Sequence, residues 1–210
     1  MSNEEPLVYV IDDDEAVRDS LGILLESVGL AHEVYGSALD FLDAYDPDRH
    51  ACIVSDIRMP GMSGLELQQR LLESHSEAPL IFITGHGDVP MAVTAMKRGA
   101  ADFIQKPFRD QELIDRIHQA LEQDRARRAA RREEREIRER IKTLTPREAE
   151  VMERVVSGQA NKVIAMDLGV SQRTVELHRA RVMRKLRMRS LAELVQAVGK
   201  VSKDEDRAEI

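Results

Sequence analysis

Leu7-Val8-Tyr9-Val10-Ile11, closed by Asp12-Asp13-Asp14, is the stretch on which the reading of the fold turns. A short, unbroken apolar run that stops at three acids fits a strand buried on both faces. The same grammar returns twice. Ala51-Cys52-Ile53-Val54-Ser55 ends in Asp56, and Leu80-Ile81-Phe82-Ile83 ends in Thr84-Gly85. His32-Glu33-Val34-Tyr35 and Asp102-Phe103-Ile104 are shorter strand candidates. Helical patterns lie between them. Val17, Leu21, Leu24, Leu25 and Val28 recur at helical spacing, and Gly29 closes that helix. Leu65, Leu67, Leu71 and Leu72 follow Gly64, while Met91, Ala92, Ala95 and Met96 precede Gly99. Alternation of this kind implies an α/β domain, a doubly wound parallel five-stranded sheet with helices on both faces.

A chain of 210 residues has room for one or two such domains. With 33% charged and 42% hydrophobic residues it reads as a folded chain rather than a disordered one. No run approaches the roughly 18 apolar residues of a spanning helix, so no membrane partner is expected. The opening Met1-Ser2-Asn3-Glu4-Glu5-Pro6 is acidic and lacks an apolar secretory core. Cys52 is the single cysteine, which excludes an internal disulfide framework and a cysteine-cluster metal site. A reducing, cytoplasmic setting is the expectation. The net charge of −7 hides an asymmetry: residues 1–121 carry −13, residues 122–142 carry +3, residues 143–199 carry +4 and residues 200–210 carry −1. An acidic half joined to a basic half predicts two modules with different partners.

From Asp110 to Lys142 the pattern is one long helix. Leu113, Ile117 and Leu121 can pack on the first domain, and residues 122–142 then read as a semi-rigid helical linker without Gly or Pro. Glu134/Arg138 and Glu136/Arg140 have the favourable i,i+4 order, whereas Arg127/Arg131 and Arg128/Arg132 oppose helix formation. A two-chain coiled coil is the alternative, but Ala and Arg dominate the would-be seam. Residues 143–199 predict four helices. Thr145-Pro146-Arg147-Glu148 starts the first, Lys162 to Leu168 forms the second, Ser171 caps the third and Ser190 the fourth, which is expected to end at Gly199. The tail, residues 200–210, is polar and expected to be disordered.

In a doubly wound sheet, ligands sit beyond the carboxyl ends of the strands, where the strand order reverses. Asp12, Asp13, Asp14 and Asp56 all fall at such ends. A helix cap or a turn explains one or two aspartates. It does not explain a triplet plus Asp56, because clustered like charges repel. A hard divalent cation with oxygen ligands and retained waters, Mg²⁺, resolves the repulsion. Thr84 and Lys106 end two further strands and add a hydroxyl and an ammonium. Carboxylate nucleophile, divalent metal, lysine and hydroxyl together suit acceptance of a phosphoryl group.

These residues carry a resemblance. Val10-Ile11-Asp12-Asp13-Asp14, Ser55-Asp56 through Gly64, Thr84-Gly85-His86-Gly87-Asp88 and Lys106-Pro107-Phe108 resemble the receiver domain of bacterial response regulators, over residues 5–121. The resemblance implies the strand order 2-1-3-4-5 and names Asp56 as phospho-acceptor. Asp13, Asp56 and the Arg58 backbone carbonyl would hold Mg²⁺, with Asp12 assisting through water. Lys106 would contact the phosphoryl group, next to a cis bond to Pro107, and Thr84 and Phe103 match the switch pair. Phe103 lacks the hydroxyl of the tyrosine common there. Asp14 stands where many relatives carry Glu and reads as a helix cap. Arg58 and His86 would lie near the phosphoryl group and set its hydrolysis rate. An aspartate-nucleophile phosphatase is the enzyme alternative, but it needs a second acid two residues after the nucleophile, where this chain has Arg58.

In the basic half, the helix from Ser171 to Leu186 buries Val175, Val182, Met183 and Leu186 and leaves Arg173, Arg179, Arg181, Arg184 and Lys185 largely off that stripe. A short helix and a turn with Gly169 precede it, which is the helix-turn-helix arrangement for placing a helix in a major groove. No aromatic residues interleave, so single-strand stacking is not expected. Leu144-Thr145-Pro146-Arg147-Glu148, Gly158, Asn161-Lys162, Thr174-Val175, His178 and Lys185-Leu186 resemble the LuxR-type DNA-binding domain, over residues 143–199. With Gly85-His86-Gly87-Asp88-Val89-Pro90 in the first half, the whole chain resembles the FixJ subfamily of transcriptional regulators. By that resemblance Glu176, Leu177 and Ala180 face base edges, and Lys162, Gln172, Arg173, Thr174, Arg179 and Arg181 contact phosphates. The fourth helix, with Leu191, Leu194, Val195 and Val198, would form a dimer contact. The implied partners are a cognate sensor histidine kinase, double-stranded promoter DNA, a second copy of the chain when phosphorylated, and RNA polymerase. The implied activity is regulation of transcription rather than turnover of a substrate.

Overall fold

A computed structural model describes residues 5–85 and 89–208, with side chains up to residue 201. Among these residues the apolar runs form parallel strands: β1 (Leu7–Ile11), β2 (Ala31–Tyr35), β3 (Ala51–Asp56), β4 (Leu80–Thr84) and β5 (Asp102–Gln105). Their order is β2-β1-β3-β4-β5, as the resemblance implied. β1 and β3 are buried along their whole length because helices cover both faces of the sheet. The helices are α1 (Glu15–Ser27), α2 (Ala38–Ala44), α3 (Gly64–Glu73), α4 (Val89–Lys97) and the long α5 (Asp110–Lys142). α2 is a short helix that apolar spacing alone did not mark. Ser37 caps it and Phe41 anchors it, fully buried.

Alternate residues of each strand feed opposite cores. Tyr9, Ile11, Ile53 and Phe82 point into one with Phe41 and Leu67. Val8, Val10, Val54 and Ile81 point into the other with Leu25 and Ile117. Each fully buried Ile or Leu contributes about 1.5–3 kcal/mol of apolar burial. The register brings the functional carboxylates together. Ile11 pairs with Ser55, so the next residues, Asp12 and Asp56, leave the sheet as neighbours. Thr84 pairs with Gln105, which puts Lys106 one residue beyond.

The chain divides into two units, Met1–Arg128 and Ala129–Ile210. The boundary falls inside α5. The part up to Arg128 belongs with the sheet, and the part from Ala129 belongs with the C-terminal helices. In the second unit, α6 (Pro146–Val156), α7 (Asn161–Leu168), α8 (Gln172–Leu186) and α9 (Leu191–Ala208) surround Val151, Ile164, Val175, Val182, Leu186 and Leu194. Thr145 and Glu148 close a capping box at α6, and Gly169 ends α7 with φ of 66°.

α9 does not stop at Gly199 but runs on to Ala208. The apolar stripe runs on through Ala197 to Val201, which pack on Ile137 of α5 and are buried. Because Ile137 packs against α9 of its own chain, it is not free for a two-chain coiled-coil seam.

Candidate functional site

At the end of β1, Asp12 is almost fully buried. Its Oδ2 accepts a hydrogen bond from Lys106 Nζ at 2.7 Å, and its Oδ1 accepts the Asp14 N–H at 3.0 Å. Asp14 caps α1, accepting the Ala16 N–H at 2.9 Å, as its sequence position implied. Asp13 is exposed and lines an open groove of about 490 Å³ with Ile57, Arg58, Met59 and Met91.

Asp56, at the end of β3, is 8% exposed. Its Oδ2 accepts the Arg58 N–H at 3.1 Å, and Lys106 Nζ stands 3.8 Å from its Oδ1, beyond hydrogen-bond reach. Oδ1 is buried without a hydrogen-bond partner. Burial pushes the Asp56 carboxyl above its ordinary range, and the Asp12 charge adds to this. Lys106 and the N–H groups of Arg58 and Ile57 pull the other way without cancelling the burial effect. α3 approaches so closely that the Gly64 N–H reaches the Ile57 carbonyl at 2.8 Å.

Thr84 is buried at the end of β4, and its carbonyl accepts the Lys106 N–H at 2.8 Å. The Lys106–Pro107 peptide is cis, as the resemblance implied. Phe103 is half-buried and packs against the core that holds Phe82. The register therefore gathers Asp12, Asp56, Thr84 and Lys106 at one end of the sheet. His86 lies outside the described residues. Sequence reasoning missed Arg18, whose guanidinium donates to the Asp12 carbonyl at 2.7 Å and pins the acidic turn. Its one signal was isolation: Arg18 is the sole Lys or Arg among residues 1–48.

The donor set fits a hard divalent cation. Asp13 and Asp56 are hard oxygen donors, and the buried Asp56 Oδ1 has no hydrogen-bond partner within the protein. Among the described residues no three His, Cys, Asp or Glu side chains converge as a ready metal cluster. Asp12 is drawn instead to Lys106. Mg²⁺ held at this site would keep several of its waters.

In the second unit, α7, the Gly169 turn and α8 form the expected helix-turn-helix. Arg173, Glu176, Leu177, Ala180 and Arg181 are exposed on α8, and Gln172 and Lys162 are exposed at the helix starts. Thr174 packs at the cap with Ser171, 2.8 Å between their hydroxyls. Arg179 is half-buried and donates to Asn161 Oδ1, tying α8 to the start of α7. Lys185, expected on the basic surface, is bound within the unit. It reaches Glu148 Oε2 at 2.6 Å and the Thr143 carbonyl at 3.0 Å. That pairing holds the Glu148 carboxyl down at about 2. On α9, Leu191 and Val195 are exposed, but Leu194 belongs to the core and is not available for a dimer contact.

Residues 8–118 match the response regulator receiver domain family, and residues 142–198 match the LuxR family of bacterial regulatory proteins. The transcriptional regulatory protein FixJ of Azorhizobium caulinodans is 52% identical over 190 residues, covering 90% of this chain and 89% of the relative. The chain is a FixJ-type response regulator. Nodulation protein W of Bradyrhizobium diazoefficiens is 47% identical over 194 residues, 92% of this chain and 86% of its own. The solved structure of the response regulator StyR has a TM-score of 0.83 at 45% identity and covers 93% of this chain and 99% of that one. As a FixJ-type regulator, the protein is a two-component transcription regulator with a LuxR-type DNA-binding domain, not a turnover enzyme. A receiver domain implies a kinase partner and in general uses Mg²⁺ for its phosphorylation. Among the described residues no helix is long and apolar enough to cross a membrane.

Proposed function

We propose that a cognate sensor histidine kinase phosphorylates Asp56, and that the phosphorylated chain dimerises and binds promoter DNA through α8. The observation that carries this is the Asp56 carboxylate, buried, with Oδ1 unpartnered and Lys106 standing 3.8 Å away. Oδ1 attacks the phosphorus, an O–P bond forms, the donor's N–P bond breaks and the donor imidazole leaves. Asp13, Asp56 and the Arg58 carbonyl would hold Mg²⁺, with Asp12 assisting through water. The bound ion supplies charge neutralisation on the phosphoryl oxygens.

The chain's own groups then respond to the added charge. Lys106 exchanges Asp12 for the phosphoryl oxygens, and the Thr84 hydroxyl donates to them. Movement of Thr84 leaves room for Phe103, now half-buried, to turn inward. A pre-existing equilibrium shifts toward a receiver dimer using the face of α4 and β5. Two α8 helices then reach half-sites about one helical turn apart. Glu176, Leu177 and Ala180 face base edges, while Lys162, Gln172, Arg173, Thr174, Arg179 and Arg181 contact phosphates. The setting is the cytoplasm, with RNA polymerase as a further partner.

Incubation of Asp56→Asn with labelled acetyl phosphate and Mg²⁺ tests the acceptor. The variant is expected to take up no label. Uptake at the wild-type level would remove Asp56 from its role.

A further inference from the structure

Asp124 has no place in the chemistry above, yet its side chain is 1% exposed at a point where α5 passes the receiver. Two arginines of the next helical turn bind it. Arg128 Nε reaches Asp124 Oδ2 at 2.7 Å, and an Arg127 terminal nitrogen reaches Oδ1 at 2.9 Å. Neither arginine stops there. Arg128 donates onward to the carbonyls of Asp48 at 2.8 Å and Pro47 at 3.0 Å, in the loop before β3. Arg127 donates to the Glu77 carbonyl in the loop before β4 and lies 3.4 Å from the Glu77 carboxylate. His50 adds a contact to the Leu121 carbonyl at 3.0 Å and stands 3.9 Å from Asp124. All strands are parallel, so these loops lie at the end of the sheet opposite Asp56.

A buried carboxylate with two cations, each also bound to a loop carbonyl, fixes geometry more than it adds stability. It extends the grip of the receiver on α5 from Leu121, the last apolar residue of the packed stripe, to Arg128. We infer that Asp124, Arg127, Arg128 and His50 form a clamp that locks the start of the linker helix to the receiver, and that the clamp makes DNA affinity follow the receiver's state. Without it residues 122–128 lose their hold on the receiver, and the receiver's state no longer reaches the helix that leads to the DNA-binding unit. The second part of this inference rests on the phosphorylation reading. The first does not.

The test uses the full chain and the double variant Arg127→Met/Arg128→Met, which leaves Asp124 with His50. Label uptake at Asp56 confirms that the variant's receiver is folded. Hydrogen exchange is expected to show amides 122–128 of the unaltered chain protected with the receiver. In the variant they should exchange about tenfold faster or more, with β1 to β4 unchanged. Beryllofluoride with Mg²⁺, mimicking the phosphoryl group, should tighten DNA binding by the unaltered chain, and this gain should shrink severalfold in the variant. Amides 122–128 that exchange as fast as amides 129–136 in the unaltered chain would overturn the clamp. An equal beryllofluoride gain in both proteins would overturn its signalling role. If the unaltered chain shows no gain at all, the phosphorylation reading and the signalling role fail together, while the exchange comparison still decides the clamp.

Discussion

A methyl group added at Gly64 would sit 2.3 Å from the Asp56 carbonyl oxygen, 2.9 Å from a Phe82 ring carbon and 3.0 Å from the Ile57 Cα. Two of these are backbone atoms and the third belongs to a fully buried ring, so none is a flexible end that can swing aside. Ordinary contact begins near about 3.5 Å, so in Gly64→Ala the start of α3 and the end of β3 must part by roughly 1 Å. That movement stretches the Gly64 to Ile57 hydrogen bond and shifts the segment that carries Asp56. Overpacking of this kind costs about 1–3 kcal/mol, which in a unit of this size lowers the thermal midpoint by roughly 3–12 °C. A reacting group misplaced by about 1 Å can lose up to ~10²-fold in rate. The assay pairs thermal unfolding of the receiver, followed by circular dichroism, with the initial rate of label uptake from acetyl phosphate. Both should fall. A variant that melts and labels like the parent would show that the close approach of α3 to Asp56 does not govern the site.

Three further outcomes follow from the same geometry. Burial raises the Asp56 carboxyl in the folded state, so ionising it opposes folding. Asp56→Asn should therefore raise the receiver's midpoint by a few degrees at pH 7 without Mg²⁺, and the gain should vanish below the ordinary carboxylate range; a lower midpoint at pH 7 contradicts this. Glu148 has the opposite sign, lowered from an ordinary 4.5 to about 2 by Lys185 and the Thr145 N–H. Glu148→Gln should cost the second unit about 1–3 kcal/mol above pH 4.5, a deficit that disappears as pH falls toward 2; a pH-independent deficit would mean the charge is not what matters. Arg181 is exposed on α8, so Arg181→Ala should lower the slope of log affinity against log salt by about one while leaving stability unchanged; an unaltered slope takes it out of the phosphate contacts.

What could be read from the chain without coordinates was whatever is local. Leu7–Ile11 and Ala51–Asp56 are continuous apolar runs ended by carboxylates, and a strand buried on both faces has no other common signature. Thr145 with Glu148, and Gly169 before Ser171, announce helix ends through caps that act within four residues. What depended on register or on a distant partner was hidden. The unpartnered Asp56 Oδ1 needs β1, β3 and β5 aligned before it exists. Lys185 looked like one more cation of a basic helix, but its partner Glu148 lies 37 positions away. Asp124 did leave a trace. It continues the buried series Leu113, Ile117 and Leu121 at helical spacing, and an acid on an apolar stripe asks for a partner. α9 outran Gly199 because one glycine costs a helix only about 1 kcal/mol, less than burying Val201 against Ile137 returns.

In the proposed function, phosphorylation of Asp56 controls DNA binding through assembly. Light-scattering mass and affinity for promoter DNA, each measured on the full chain with and without Mg²⁺ and beryllofluoride, test it most directly. A shift from monomer to dimer together with tighter binding is expected. Mass and affinity that both ignore beryllofluoride would contradict it.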